Sequence, residues 1–261
     1  MNLHALNKKP VHKSLSERFV ELDLLRGIAI LSMIFLHILW DLDYFGIMPI
    51  NNEVYKFQKS IPALFFLLVG ICLVVSRNRK IRLPSYDERK YDIHLIMRGL
   101  KIFSLGMIIT TISLLFITDR PIVFGVLHCI GLSVILSIPF LKIKPSHAAV
   151  AGVMIIVLGL AMNMFPVEDP TVVHLAAGLH QADVSTYTID YFPLLPWFGI
   201  TLLGVSLGNI LYKNNKRRFP IPDLSRFKPA TLFSWIGKHS LAIYLLHQPV
   251  IAGVLSLYLI L

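Results

Sequence analysis

Glu21-Leu-Asp-Leu-Leu-Arg26-Gly-Ile-Ala-Ile-Leu-Ser-Met-Ile-Phe-Leu-His37-Ile-Leu-Trp-Asp41-Leu-Asp43 is apolar enough to cross a membrane, yet it carries an arginine, a histidine and three aspartates. Arg26 and His37 are eleven positions apart. At about 100° per residue this is three turns plus ~20°, so both side chains fall on one helix face. Asp23, Gly27, Ile30, Asp41 and Tyr44 share that stripe. An ionisable group in hydrocarbon costs about 3 kcal/mol on insertion scales, so such a stripe turns toward a protein or water-lined interior. The stretch reads as a spanning helix with one face lining a site.

The chain around it has 261 residues, 55% of them hydrophobic and 15% charged. That balance belongs to integral membrane proteins and excludes an ordinary soluble domain. The expected fold class is all-α: a polytopic transmembrane helix bundle of about seven spans, near 22–41, 60–76, 94–117, 122–141, 147–166, 193–212 and 240–259. Most approach the ~20 residues that cross about 30 Å of hydrocarbon. The second is short, and Pro62 near its start calls for a helix lengthened by Val54 to Phe57 or for a tilted entry.

Lysine and arginine give the sidedness. Eighteen of them fall in the N-terminal tail and the second, fourth and sixth loops, against Lys56, Lys59 and Arg120 in the opposite loops. The N-terminus is therefore expected in the cytosol and the C-terminus outside. The net charge of +10 is a topological signal first, with anionic lipid headgroups the default partners of basic loops and no nucleic acid expected. The second and sixth loops also suit a phosphorylated cytosolic cofactor.

Residues 1–13 read as a mobile cytosolic tail, because Ser14-x-x-Glu17 fits a capping box that opens a helix before the first span. Residues 14–261 read as a single transmembrane domain without internal repeats. No cleaved signal peptide is visible, so the first span is its own insertion signal. Cys72 and Cys129 lie within apolar spans, as packing residues or a buried pair. The segment Val167 to Phe192 holds Glu168, Asp169, Asp183 and Asp190 with no lysine or arginine, and could fold over the outer mouth as a lid.

His37, His128 and His247 lie within or close to bilayer depth. Pro249 lacks an amide hydrogen and frees the carbonyl of Leu245, so a kink is expected beside His247 and Gln248, and kinked polar segments at membrane depth line cavities. For His128 and His247 the plain alternative is a hydrogen bond to a neighbouring helix. His37 stands apart, because Asp41 lies four residues on, where a carboxylate can orient an imidazole and raise its basicity. Arg26 suits a phosphate, or simply pairs with Asp23 three residues away. Asp190 and Trp197 belong to an interfacial belt or contact a sugar-like acceptor. Gly125, Gly131, Gly199, Gly204 and Gly208 permit close helix approach. His37, Asp41 and His128 could ligate a metal, but no HxxxH or cysteine pair supports one and none is expected. No nucleophile elbow or Walker loop is present in the sequence.

Four ordered blocks carry a resemblance: Glu21-Leu-Asp-Leu-Leu-Arg-Gly-Ile-Ala-Ile, Phe124-Gly-Val-Leu-His-Cys-Ile-Gly131, Tyr191-Phe-Pro-Leu-Leu-Pro-Trp-Phe-Gly199 and Gly237-Lys-His-Ser-Leu-Ala-Ile-Tyr-Leu-Leu-His-Gln-Pro249. Together, from about 18 to 255, they resemble the small prokaryotic members of the heparan-α-glucosaminide N-acetyltransferase catalytic-domain family. The spacing of Arg26 and His37 is also similar to that of the wider transmembrane acyltransferases that decorate surface glycans. The resemblance implies an integral protein of a prokaryotic plasma membrane, with acetyl-CoA or another acyl-CoA as cytosolic donor. It also implies an extracytoplasmic glycan-like acceptor, a sugar amine or hydroxyl. Membrane lipids are further partners, and a homodimer is an allowed state. In these terms His37, oriented by Asp41, acts as general base or transient acyl carrier, and Arg26 holds the donor's phosphate or pantetheine-side carbonyl. His128, Asp190, Trp197, His247 and Gln248 line the cavity or meet the acceptor. The competing class is a proton-coupled transporter or channel using the same polar stripe, against which the lack of inverted repeats counts.

Overall fold

The computed structural model describes residues 18–49, 54, 60–116, 119–222, 224 and 227–260. The helices are α1 (Val20–Tyr44), α2 (Ser60–Lys80), α3 (Glu88–Phe116), α4 (Val126–Leu136), α5 (Pro145–Met162), α6 (Val172–Ala177), α7 (Leu194–Leu211), α8 (Lys228–Lys238) and α9 (Ser240–Ile260). The described residues form no strand beyond one isolated bridge between Phe124 and Tyr191. Six of these helices, α1, α2, α3, α5, α7 and α9, are long and apolar enough to cross a membrane, as expected of an integral membrane protein. The capping box at Ser14 and the end of the tail lie outside the described residues. The second span proves long enough through its other end, since α2 continues to Lys80; of the residues invoked to lengthen its start, 55–57 also lie outside them.

The chain divides into two compact units, residues 32–220 and residues 1–31 with 221–261. In the larger unit, helices meet backbone to backbone at glycines. Gly70 of α2 and Gly204 of α7 leave no room for a Cβ against the carbonyls of Thr201 and Leu67, and Gly208 lies against Ile71. On another side of α7, a Cβ on Gly199 would come to 2.5 Å from the carbonyl of Gly152 in α5. Gly159 of α5 is as tight against Leu195 and Pro196. Apolar side chains gain nothing by leaving lipid for a helix interface, so close packing of small residues must supply the cohesion. The opposite face of α5 carries exposed Val150, Val153, Met154, Val157 and Leu158, in lipid-facing helical spacing.

The expected fourth span departs from a simple crossing helix. Within 122–141 the α-helix covers only Val126–Leu136, followed by a 3-10 turn at Pro139–Leu141. Phe124 is held extended by its bridge to Tyr191 and by Phe192, whose N–H donates to the Phe124 carbonyl at 2.9 Å, and Pro139 cannot continue the α-helical ladder. The segment still retraces α3 in the antiparallel sense. The Ile122 N–H donates to Ser113 Oγ at 2.9 Å, His128 lies on Gly106, Gly131 lies on Gly99 and Phe103, and Lys142 Nζ reaches Asp92 at 2.6 Å. The stretch of α3 so covered is about 32 Å long at 1.5 Å per residue.

These pairings collect the basic loops at one end of the unit. Arg77 pairs with Glu88 at 3.5 Å, Lys142 with Glu88 at 3.4 Å, and Asn78 Nδ2 donates to the Tyr212 carbonyl at 2.9 Å. The hydrogen bond to Asp92 raises the ammonium pKa of Lys142. The opposite end holds the Phe124–Tyr191 bridge and the segment expected as a lid, which folds down onto it. In that segment Thr171 caps α6 by accepting the His174 N–H at 3.4 Å, Gly178 closes it in a left-handed conformation (φ 114°), and Tyr191 Oη donates to the Leu175 carbonyl at 2.7 Å.

In the smaller unit, α8 occupies residues expected as loop. It buries the small face Ala230, Ser234 and Gly237, and exposes Leu232 and Trp235. Gly237 lies against the Asp23 carbonyl and Gly27 against the Phe233 carbonyl, so the glycine that follows Arg26 seats α1 on α8. Pro249 sits inside α9, which runs through it as one helix.

Two outcomes follow from this packing. Gly204→Val should force α2 and α7 apart, costing about 1–3 kcal/mol or more as an overpacked contact; a clear fall in thermal midpoint in detergent is expected, and an unchanged midpoint would contradict the close crossing. With Cys72 and Cys129 buried, a cysteine placed at exposed Ser85 should resist an impermeant thiol reagent in intact cells, while one at exposed Ala182 is labelled. Labelling at Ser85 before permeabilisation would reverse the sidedness.

Candidate functional site

Three of the candidate residues, His128, Asp190 and Trp197, gather at the end of the larger unit away from the basic loops. The first turn of α4 organises them. Gly125 precedes the helix with extended backbone (φ −83°, ψ −177°), leaving its own N–H and that of Val126 without partners inside the helix. Gly125 N–H donates to His128 Nδ1 at 3.2 Å, and Val126 N–H donates to Asp190 Oδ2 at 3.3 Å. One candidate histidine and one candidate carboxylate therefore satisfy adjacent amides of one helix start, where the dipole also favours a negative charge. Gly125 has no Cβ for a reason: one would stand within the Asp190 carboxylate.

His128 is 1% exposed. Its ring lies edge to face with Phe103 (centroids 5.1 Å) and near-stacked on Phe124 (5.5 Å), while Gly106 leaves it room against α3. Because Nδ1 accepts a backbone N–H, the neutral ring carries its proton on Nε2. That buried Nε2 has no hydrogen-bond partner among the described residues. Trp197, in the first turn of α7, packs on Phe66 (5.3 Å) and Phe192 (5.0 Å) within one apolar cluster that also holds Phe124 and Cys129. Cys129 is a buried packing residue and a free thiol.

Asp190 is partly buried, and its placement pushes its carboxyl up to about 6; burial is the larger cause, opposed by the Val126 amide. Thr188 Oγ1 donates to the carbonyl of Asp190 at 3.3 Å, holding the residue from its other side.

The remaining candidates lie on α1 and α9. His37 and Asp41 stand one turn apart on α1, His37 partly exposed and Asp41 3% exposed. Arg26, at the other end of α1, pairs with Asp23 at 3.0 Å, so the local pairing foreseen from their spacing is present. The second oxygen of Asp23 has no partner among the described residues. His247 is buried in α9 and donates from Nδ1 to the Tyr244 carbonyl, with Gln248 beside it. Among the described residues, no three histidine, cysteine or acidic side chains converge as a metal-binding group would.

The family described as heparan-alpha-glucosaminide N-acetyltransferase, catalytic, matches residues 18–249. The chain belongs to this family. Membership spans α1 through the His247-Gln248-Pro249 block and makes a transmembrane acetyltransferase the class to which the chain is assigned. No curated protein and no solved structure gives a significant match.

Residues that the sequence reading passed over complete this end of the unit. Phe103, Gly106 and Phe124 box His128, and their roles depend on which turns of α3 and α4 face each other. The spacing Gly125-x-x-His128 is itself a capping signature, a helix start with a hydrogen-bonding side chain three residues on.

The raised Asp190 pKa sets a pH dependence with a definite sign. Between about 4 and about 6 the folded state keeps a proton that the unfolded chain has released, so stability falls as pH rises through this window and levels off above it. Asp190→Asn should remove that contribution to the slope, read as the thermal midpoint in detergent from pH 4 to pH 7. An unaltered profile in the variant would rule out Asp190 as its source.

Proposed function

We propose that the protein transfers an acetyl or other acyl group from cytosolic acyl-CoA to an extracytoplasmic acceptor, a sugar amine or hydroxyl, across a prokaryotic plasma membrane. Membership of the acetyltransferase family over residues 18–249 is the observation that carries this reading. The N-terminus is cytosolic and the C-terminus outside; the contacts of Arg77 and Lys142 with Glu88 and of Asn78 with Tyr212, which bring the second, fourth and sixth loops to one end of the larger unit, support a common side for those basic loops.

α1 bears the reacting groups. Arg26 and His37 share one continuous helix, about 16 Å apart along its axis at 1.5 Å per residue. Arg26 meets the donor from the cytosolic side, its charge shared with Asp23. His37 takes the proton from the acceptor's amine or hydroxyl as that group attacks the thioester carbonyl, and CoA departs as its thiolate. Asp41, buried one turn away, holds the imidazole and balances the charge it acquires. His128, Asp190 and Trp197, gathered in the larger unit, meet the acceptor, and His247 and Gln248 supply the polar side chains of α9 in the smaller unit.

An acid-base role is worth about 10²–10⁴ in rate. His37→Ala should therefore lose most transfer while donor binding, measured by calorimetry, persists, and Asp41→Asn should lose less. The assay is radiolabelled acyl transfer to a mixed pool of cell-envelope sugars at matched folded protein. Label retained on acid-quenched wild-type protein would favour an acyl-histidine intermediate over direct attack. Full turnover by His37→Ala would remove the histidine from the chemistry, and absence of transfer from every donor tried would favour the transporter class.

A further inference from the structure

The basic end of the larger unit contains two sets of cations in different circumstances. Those beside the start of α3 are matched by acids: Lys142 with Asp92 and Glu88, Arg77 with Glu88, and Lys90 with Asp87 at 3.8 Å. The run after α7, Tyr212 to Pro222, contains Lys213, Lys216, Arg217 and Arg218 and no acid. Lys213, Lys216 and Arg218 are exposed, as is Arg82 from the preceding basic loop.

This run is a built turn. Asn214 adopts the left-handed conformation (φ 55°, ψ 40°), which costs a residue with a Cβ and is most tolerable for asparagine or aspartate. That conformation presents its carbonyl to Arg82, which donates an N–H to it. Asn78 Nδ2 holds the Tyr212 carbonyl at 2.9 Å, Lys216 N–H closes the turn on the Lys213 carbonyl at 3.1 Å, and Arg218 N–H folds back on Leu211 at 2.9 Å. Arg82 thus reaches into a turn flanked by Lys213 and Lys216. The run is held by Asn78 near the end of α2 and by Arg82 of the loop that follows, while the acids described at the start of α3 are committed to other cations. Part of the charge offsets the C-terminal dipole of α7, but a single cation suffices for that.

We propose that Arg82, Lys213, Lys216 and Arg218 form a cradle for phosphate esters at the basic end of the larger unit. The guanidinium forks suit phosphate oxygens, and the lysines add compact charge. Such esters have two sources at a cytosolic membrane face: the nucleotide half of a CoA donor, an assignment that rests on the acyl-transfer reading above, and a phospholipid headgroup, which does not.

The test uses the full chain in nanodiscs of phosphatidylcholine or phosphatidylglycerol, with a variant carrying Lys213→Gln, Lys216→Gln and Arg218→Gln and leaving Arg82 to brace the turn. Calorimetry with adenosine 3′,5′-bisphosphate in phosphatidylcholine discs should show binding weakened tenfold or more in the variant. In transfer assays, the variant should erase the KM difference between acyl-CoA and acyl-pantetheine, which lacks the nucleotide phosphates. If the bisphosphate does not bind but phosphatidylglycerol raises the thermal midpoint of the wild type and not of the variant, the cradle stands and its ligand is a lipid. Bisphosphate binding without any acyl transfer would sink the enzymatic reading and leave the cradle. Neither bisphosphate binding nor a lipid-dependent midpoint overturns it. If the triple variant fails to fold, Lys213→Gln and Lys216→Gln singly carry the test, each expected to weaken binding two- to fivefold.

Discussion

Direct backbone contact at glycine is the constraint on which the larger unit depends. α7 uses it on two sides: Gly199 meets α5, whereas Gly204 and Gly208 meet α2. Five residues of helix turn about 140°, so one helix presents two separate small-residue faces. Because both flanking helices seat on it, α7 fixes where its own first turn stands, and with it Trp197. The pairing of α3 with α4 through Gly99, Gly106 and Gly131 does the same for His128.

Much of this was legible in the sequence. The long apolar helices followed from composition, four of the five glycines singled out lie at helix crossings, and the three-residue spacing of Asp23 and Arg26 foretold their ion pair. The fifth, Gly125, turned out to make room for a carboxylate. What escaped the reading has a physical cause in each case. Hydropathy measures composition and is blind to Phe124 pairing with Tyr191, so it cannot show that Phe124 and Gly125 are extended. α8 hides because its buried face is made of alanine, serine and glycine, which carry no apolar signal. Asp190 was visible as an acid near a boundary, but its partner is the amide of Val126, 64 positions away, and no local pattern encodes such a distance.

At the start of α4, two of the candidate residues also serve the architecture. The two free amides there are met by His128 and Asp190, and of these His128 also stands beside the aromatic rings of Phe103 and Phe124. Holding His128 through Nδ1 leaves the opposite nitrogen as a hydrogen-bond donor in apolar surroundings. A buried donor without a partner is costly, and its presence beside a helix start is a reason to treat this end as more than packing.

The two ends of the larger unit also differ in the forces that close them. One is tied by ion pairs among Arg77, Glu88, Asp92 and Lys142, and the other by a backbone bridge, buried amides and stacked rings. Dissolved salt weakens exposed ion pairs, with a screening length of about 10 Å at 0.1 M, and hardly touches the second kind of contact. Ionic strength therefore acts on the larger unit from one end: the loops tied by ion pairs loosen as it rises while the far end stays closed. Salt on the side that these loops face would register as a change in loop mobility at that end of the larger unit alone.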